Sequence, residues 1–413
     1  MDGKIINSYI ATCGSYAELK TIIMSIKIFP IFIFSCITGC TQTREHVQKK
    51  PETIKENSGT LSNHSSVLDT TNGLIISTGE MKTARAAHTA TLLKSGKVLI
   101  AGGFAGSTFL SSAEIYDPVF KTFASAGQMS FARSSHTATM LPNGQVLITG
   151  GYNGNYLSST EIFDPQKQTF SARSVMSTPR SGHTATILNN EKILLAGGVG
   201  VGWSFLQSAE LYDIQTKTFT ATGSMTTARE SHTATLLKNG NVLITGGHKD
   251  RRENIKIYSS AEIYDPLSAK FILVGNMSMI RHKHDAVRLS DGNVLINGGS
   301  DEQDSEGAYT SAELYDPVSS LFKPADNMNN TRYKHNGTSI LLPNGNVLIA
   351  GGNNQAEVYQ TATGKFVIVV GSMGTKRLFS CATLLQNGQV LITGGYNENM
   401  EPGKNAWLYV YKK

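Results

Sequence analysis

Cysteine is scarce in this 413-residue chain: there are four, Cys13, Cys36, Cys40 and Cys381. Three lie within the first 40 positions, so no disulfide framework can staple the remainder. Long apolar runs are also missing. The run at residues 28–37 has 10 residues, short of the about 20 that a membrane-spanning helix needs. Charge of one sign is low: the formal net charge is +6, and +5 once residues 1–39 are set aside. That balance gives no reason to expect a nucleic-acid partner. From residue 73 onward no stretch keeps helical periodicity over ten or more residues, which argues against helical bundles and alternating α/β folds. There is no Gly-rich phosphate cradle, no nucleophile elbow and no His-Glu-x-x-His.

Glycine, by contrast, is abundant and periodic. Gly-Gly pairs stand at 102/103, 150/151, 197/198, 246/247, 298/299, 351/352 and 394/395, in steps of 43 to 53 residues. A period near 50 means one supersecondary unit repeated, each copy burying its apolar face only against a neighbour.

One unit is legible in residues 133–176. Thr137-Ala-Thr-Met-Leu141, Gln145-Val-Leu-Ile-Thr149, Ser159-Thr-Glu-Ile-Phe163 and Gln168-Thr-Phe170 are strand-length segments separated by turn residues. We label them strands a to d. Asn-Gly or Asp-Gly closes the a–b hairpin at 143, 239, 291, 344 and 387, as tight antiparallel turns require. Strand a carries small and branched residues such as Thr89-Ala90-Thr91, whereas strand d carries a Phe at 123, 170, 219, 271, 322 and 366. Small inside and large outside fits a blade that tapers towards a central axis. The expected fold class is therefore all-β: a seven-bladed β-propeller with four antiparallel strands per blade.

The double glycine, the Glu-x-Tyr-Asp-Pro of strand c, the strand-d aromatic and the downstream Met-x-x-x-Arg resemble the kelch family of propellers. The resemblance covers roughly residues 73–413, with Phe where that family usually has Trp and with several signature residues lost from blade seven. The remainder predicts how the ring closes. The last repeat ends at a strand c, Ala406 to Tyr411, and residues 73–81 align with a strand d that has no blade. The N-terminal strand should complete blade seven, because an open sheet edge invites aggregation.

Residues 1–39 read as a signal peptide, with a true start possible at Met24 ahead of Lys27. Ile37-Thr-Gly-Cys40 resembles a bacterial lipobox, which would make Cys40 the lipidated first residue of the mature protein. Residues 40–72, polar and poor in large apolar side chains, read as a disordered tether. The resulting expectation is an exported protein held at a bacterial, outer, membrane through its lipid alone.

Arg-x-x-His recurs at Arg85/His88, Arg133/His136, Arg180/His183, Arg229/His232, Arg281/His284 and Arg332/His335, and becomes Arg377/Ser380 in the seventh copy. Strand c supplies Glu114, Glu161, Glu210, Glu262, Glu313 and Glu357, with Trp407 in the seventh place. Residues present in every blade serve the blade. We expect structural Arg–Glu pairs, with each His an anchor at the start of strand a, and no metal funnel and no catalytic residue among them. Buried carboxylates need such partners, and the arginine fork supplies them. Cys381, in strand a of the seventh repeat, should be a small buried hydrophobe.

Function should then lie in the b–c loops, which differ between blades. The candidates for ligand binding are Phe104, Tyr152, Tyr156, Trp203, His248, Arg251, Arg252, Asp301, Glu302 and Tyr396: aromatics with a basic loop beside an acidic one. The expectation is a monomeric envelope or surface binding module for a protein or glycan, needing no cofactor. The alternative is a sugar-handling propeller enzyme, similar to the sialic acid mutarotase or to copper-dependent galactose oxidase.

Overall fold

The computed structural model describes residues 71–251, 254–301 and 307–411. These form seven four-stranded antiparallel sheets, and three short two-stranded ribbons continue the b–c loops of blades one, three and four. Blade two, for example, is Thr137–Met140, Val146–Thr149, Thr160–Asp164 and Thr169–Ala172, in that spatial order. Among the described residues the helical content is confined to short turns such as Val201–Trp203, and no helix is long and apolar enough to cross a membrane.

The ring closes as its remainder requires. Leu74–Ser77 pairs antiparallel with Ala406–Val410, with Ile75 opposite Tyr409 and Ser77 opposite Trp407. The segments expected to be a signal peptide and a tether, with Cys40 between them, lie outside the described residues up to residue 70.

Strand b of each blade reads as an unbroken apolar run because both its faces are covered. Val98, Leu99, Ile100 and Ala101 are all buried. The core accordingly lies between blades. One cluster joins Leu99, Ile115 and Met129 of blade one to Val146, Ile148 and Phe163 of blade two. Further out, the strand-c aromatic packs on the strand-d Phe of its own blade, as in Tyr212–Phe219 at 4.9 Å between ring centres.

The repeated polar residues bind this frame together. Arg85 Nη2 donates to Glu114 Oε1 at 2.8 Å while its Nη1 donates to the carbonyl of Gly102 at 2.7 Å. The same carboxylate accepts the Lys82 backbone N–H at 2.7 Å. Each Arg thus staples the segment entering a blade to strands b and c. Arg133–Glu161, Arg180–Glu210, Arg229–Glu262, Arg281–Glu313 and Arg332–Glu357 repeat the pairing at 2.8–3.0 Å, with every one of these guanidinium groups buried. In blade seven the ion pair becomes a cation–π contact, with Arg377 4.8 Å from the Trp407 ring.

Five of the six repeated histidines tie their blade to the one before it. His136 meets Thr89 at 3.1 Å, His232 meets Thr184 at 3.1 Å, and His88 closes the circle on Thr393 at 2.9 Å. This packing explains the double glycine. Gly102 has φ +63°, and a Cβ there would stand 2.6 Å from the Arg133 carbonyl and 2.7 Å from the His136 ring. Blade five departs from the pattern. Asp285 replaces the threonine, and its carboxylate accepts the N–H groups of Gly337, Thr338 and Ser339 at 2.7–3.0 Å. Cys381 Sγ donates to the His88 carbonyl at 3.0 Å, and burial pushes its thiol up to about 12.

Candidate functional site at the axial mouth

Between the Arg and His of each repeat stand two residues that vary: Ala86-Ala87, Ser134-Ser135, Ser181-Gly182, Glu230-Ser231, His282-Lys283, Tyr333-Lys334 and Leu378-Phe379. The second residue of each pair adopts left-handed φ, from 48° at Ala87 to 62° at Gly182. For a side chain as large as Phe379 (φ 52°) that conformation is costly and must be imposed by its surroundings. Backbone bonds between blades impose it. Ser135 N–H donates to Ala87 O at 3.1 Å, Gly182 to Ser135 at 3.0 Å, Lys283 to Ser231 at 3.0 Å, Lys334 to Lys283 at 2.9 Å, Phe379 to Lys334 at 2.7 Å and Ala87 to Phe379 at 3.0 Å. These six bonds nearly complete a circle about the axis, and all seven second residues are half-buried. The circle rims one end of the propeller.

The first residue of each pair is buried behind this rim, and all but Tyr333 bridge, backbone to backbone, to the start of a b–c loop: Ala86 to Phe104, Ser134 to Tyr152, Ser181 to Val199, Glu230 to His248, His282 to Ser300 and Leu378 to Tyr396. The loops are thereby drawn over the mouth, and their rings pack in sequence around it. Phe379 meets Tyr396 at 5.9 Å, Tyr396 meets Phe104 at 6.1 Å, Tyr152 meets Tyr156 at 5.0 Å and Tyr156 meets Trp203 at 5.9 Å. Phe205 then meets His248 at 5.6 Å, and His248 meets His282 at 4.7 Å.

Several expected surface residues are therefore part of the frame. Tyr152, His248 and Tyr396 are buried, not exposed, because the b–c loops fold inward onto the rim. Burial raises the Tyr396 hydroxyl above its ordinary range and holds His248 well below 6.5, so both are neutral. His248 Nδ1 faces His282 Nδ1 at 3.1 Å, which requires one ring to donate and the other to accept. Arg251 is not a loose surface arginine either. Its Nη2 donates to the buried Glu230 carboxylate at 2.7 Å, and its guanidinium lies 4.6 Å from the Trp203 ring. Burial raises the Glu230 carboxyl, opposed by Arg251 and then Lys283. Among the named candidates, Phe104 and Tyr156 are half-buried, and Trp203 and Asp301 are exposed. Arg252 and Glu302 lie outside the described residues.

The mouth is lopsided. Blades one to three contribute Ala87, Ser135 and Gly182 to the rim; blades five to seven contribute Lys283, Lys334 and Phe379. Lys334 Nζ donates to the Tyr396 hydroxyl at 2.8 Å and lies 4.7 Å from the Tyr333 ring, 5.4 Å from Tyr396 and 5.8 Å from Phe379. Glu230, His282, Lys283, Tyr333, Lys334 and Phe379 were not among the residues expected from the loops. Their signal was present inside the repeated motif, as the two positions that vary between its constant ends.

Two family descriptions match: the Attractin/LZTR1 beta-propeller over residues 119–360 and the Kelch motif over residues 85–130. No curated protein matches the chain. Among solved structures, a fungal alcohol oxidase of the AA5 family, in complex with copper, superposes with a TM-score of 0.63 at 15% identity, over 82% of this chain and 76% of its own. At that identity the likeness is one of fold. The recurring glycine, arginine, glutamate and histidine positions and the family match over more than half the chain agree: the protein belongs to the kelch-repeat β-propellers of the attractin/LZTR1 type.

Proposed function

We propose that the protein is a binding module whose ligand, a glycan or a protein, docks at the axial mouth on the face of the b–c loops. The lopsided rim carries this reading. A frame needs the same residue in every blade, and the rim has Ala87, Ser135 and Gly182 on one side but Lys283, Lys334 and Phe379 on the other. A half-buried cation held over aromatic rings, as Lys334 is, beside an aromatic such as Phe379, is the kind of surface binding hot spots favour. A glycan array probed with the purified propeller tests it. Retention should fall at least ~10-fold in Lys283→Met and Phe379→Ala, with melting temperatures within a few degrees of wild type. Retention unaffected by both variants would move the site elsewhere.

The enzyme alternative draws support from the fold of the copper-containing oxidase. The donor set does not fit that metal. Among the described residues no three His, Cys, Asp or Glu side chains converge as ligands. His248 and His282 face each other, Tyr396 is held by Lys334, and the Cys381 thiol is engaged by the His88 carbonyl. No step through copper follows from these residues. We also propose that the module acts at a bacterial envelope, anchored through Cys40, a reading carried by Ile37-Thr-Gly-Cys40 alone. Cys40→Ala should abolish labelling by a fatty-acid analogue, and labelling that persists contradicts it.

A further inference from the structure

The end of the propeller opposite the mouth carries the a–b and c–d turns. Three of the c–d turns are apolar where they are most exposed. Each opens on an aspartate whose carboxylate accepts the backbone N–H two residues on: Val119 to Asp117 at 3.0 Å, Leu267 to Asp265 at 3.0 Å and Val318 to Asp316 at 2.9 Å. A turn capped in this way leaves that second residue out in solvent. Blades two and three fill the position with Gln166 and Gln215 on the same aspartate cap. Blades one, four and five fill it with Val119, 79% exposed, Leu267, 97%, and Val318, 94%, and Phe120 beside Val119 is 76% exposed. One exposed leucine is ordinary. Here apolar side chains too bare to aid folding recur at one turn position.

Blade seven packs on blade one, so in the ring of seven blade one stands across the axis from blades four and five. The apolar tips are therefore separated points of one rim. A protein interface gathers its anchors into a central cluster. Separated tips suit a broad apolar layer, which each can enter by itself. Lys121, Lys167, Lys217 and Lys270 are exposed in or just after these turns, as anionic headgroups would favour.

The mouth face exposes apolar side chains too, Val201 and Trp203 among them. The course of the chain separates the two faces. Leu74 pairs with Val410 at the far end of the last strand c, so the first strand starts at the c–d end. Just before it, the Asn72 carbonyl accepts the Tyr409 hydroxyl at 3.0 Å. The Asn72 side-chain oxygen accepts Gln360 Nε2 at 2.8 Å, where the c–d turn of blade six opens. Residues 1–70, Cys40 among them, are joined to the propeller at this face. An anchor at Cys40 would hold the face at high effective concentration beside a bilayer, where weak apolar contacts suffice.

We infer that the c–d turn face seats on a phospholipid bilayer, with Phe120, Leu267 and Val318 entering its interfacial layer and the mouth directed away from it. The seat is independent of the ligand at the mouth and rests on the envelope reading above for the nearness of a bilayer.

The test is tryptophan fluorescence of the full chain on vesicles of phosphatidylglycerol and phosphatidylethanolamine that carry brominated lipid. Wild type has two tryptophans, Trp203 on the mouth face and the buried Trp407. Phe120→Trp and Leu267→Trp each add a reporter at an exposed position of the seated face. Each should gain a blue-shifted component that the brominated lipid quenches at least ~2-fold, as a side chain at interfacial depth requires, while wild-type emission stays unquenched. Quenching of Trp203 with none at 120 or 267 would overturn the inference by seating the mouth on the membrane. No quenching at any of these positions would overturn it by holding the propeller off the bilayer. Self-association that vanishes in Leu267→Ser, again without quenching, would give the face to a second copy of the chain. Fatty-acid labelling of Cys40 reads the anchor separately, so a chain that is labelled but unquenched at 120 and 267 loses the seat and keeps the envelope reading. A full chain that neither carries label nor meets vesicles would overturn both.

Discussion

Within one four-residue motif, the outer residues and the inner pair are built on opposite rules. The Arg and His of Arg-x-x-His make the same contacts in blade after blade, from the 2.8 Å Arg133–Glu161 bond to the His136–Thr89 contact. The two residues between them make a rim in which neighbouring blades place alanine, serine, glycine, lysine and phenylalanine on one shared backbone conformation. The comparison teaches how a repeat protein can be specific. The frame spends its charged residues on stability, identically in each copy. The rim rides on that frame at fixed geometry and is free to differ.

The frame should be acid-labile, and this is the largest effect expected. His88, His136, His183, His232, His248, His284 and His335 are all held neutral by burial, helped in each by a nearby arginine, with His136, His232 and His335 at about 3. Above pH 6.5 neither folded nor unfolded chain protonates them. As pH falls below that value the unfolded chain takes up protons that the folded chain refuses. Stability then drops by up to about 1.4 kcal/mol per histidine per pH unit until the folded values are reached. Glu230 and Asp285, raised by burial, work in the opposite direction but are only two. Acid unfolding followed by circular dichroism should have its midpoint between pH 6.5 and 3. A near-UV spectrum unchanged down to pH 3 would separate the histidines from the frame.

Removing the closing strand comes next. A chain beginning at Lys82 lacks Leu74–Ser77 and leaves the strand from Ala406 to Val410 as an uncovered edge. It should melt many degrees lower and aggregate. Equal melting of this chain and one that begins at Thr71 would show that the closure contributes nothing. Within the frame, Glu210→Ala strands the buried Arg180 guanidinium and should cost about 3–5 kcal/mol by denaturant titration.

Most of the frame was legible in the sequence, because repetition multiplies a weak local signal. Gly102-Gly103 alone says little, but seven such pairs imply one packing constraint met repeatedly, and the structure shows it as a His ring and a carbonyl against the first glycine in six of them, with Thr338 and Ser380 against Gly351. The closing strand was legible as a remainder. The site was less so. Loop residues of a repeat fold are ordinarily exposed, yet Tyr152, His248 and Tyr396 are buried because each of these residues opens its loop with a backbone bridge to the residue behind the rim. Lys283, Lys334 and Phe379 are hard to single out in sequence because the constant Arg and His on either side mark the whole motif as a structural unit. What sequence could not supply was the knowledge that two adjacent residues in one motif serve different layers.

The boundary between the layers can be sharpened at Arg251, a loop residue that reaches into the frame. Arg251→Ala leaves the Glu230 carboxylate without its closest cation and should cost about 1–3 kcal/mol. Trp203, 41% exposed, should cost less than about 1 kcal/mol when replaced by Ala, chiefly through its lost contacts with Tyr156 and Arg251. Equal effects at the two positions would mean that the loops form a layer independent of Glu230.

The central claim is that stability and recognition are divided between the constant and the variable positions of one motif. Its most direct test is melting temperature and retention on the glycan array measured side by side for Glu210→Gln and Lys283→Met. The account predicts a marked fall in melting temperature for the Glu210 variant, with binding kept below its new transition. It predicts an unchanged melting temperature and lost binding for the Lys283 variant. A Glu210 variant that melts normally but no longer binds, beside a Lys283 variant that binds as before, would contradict it.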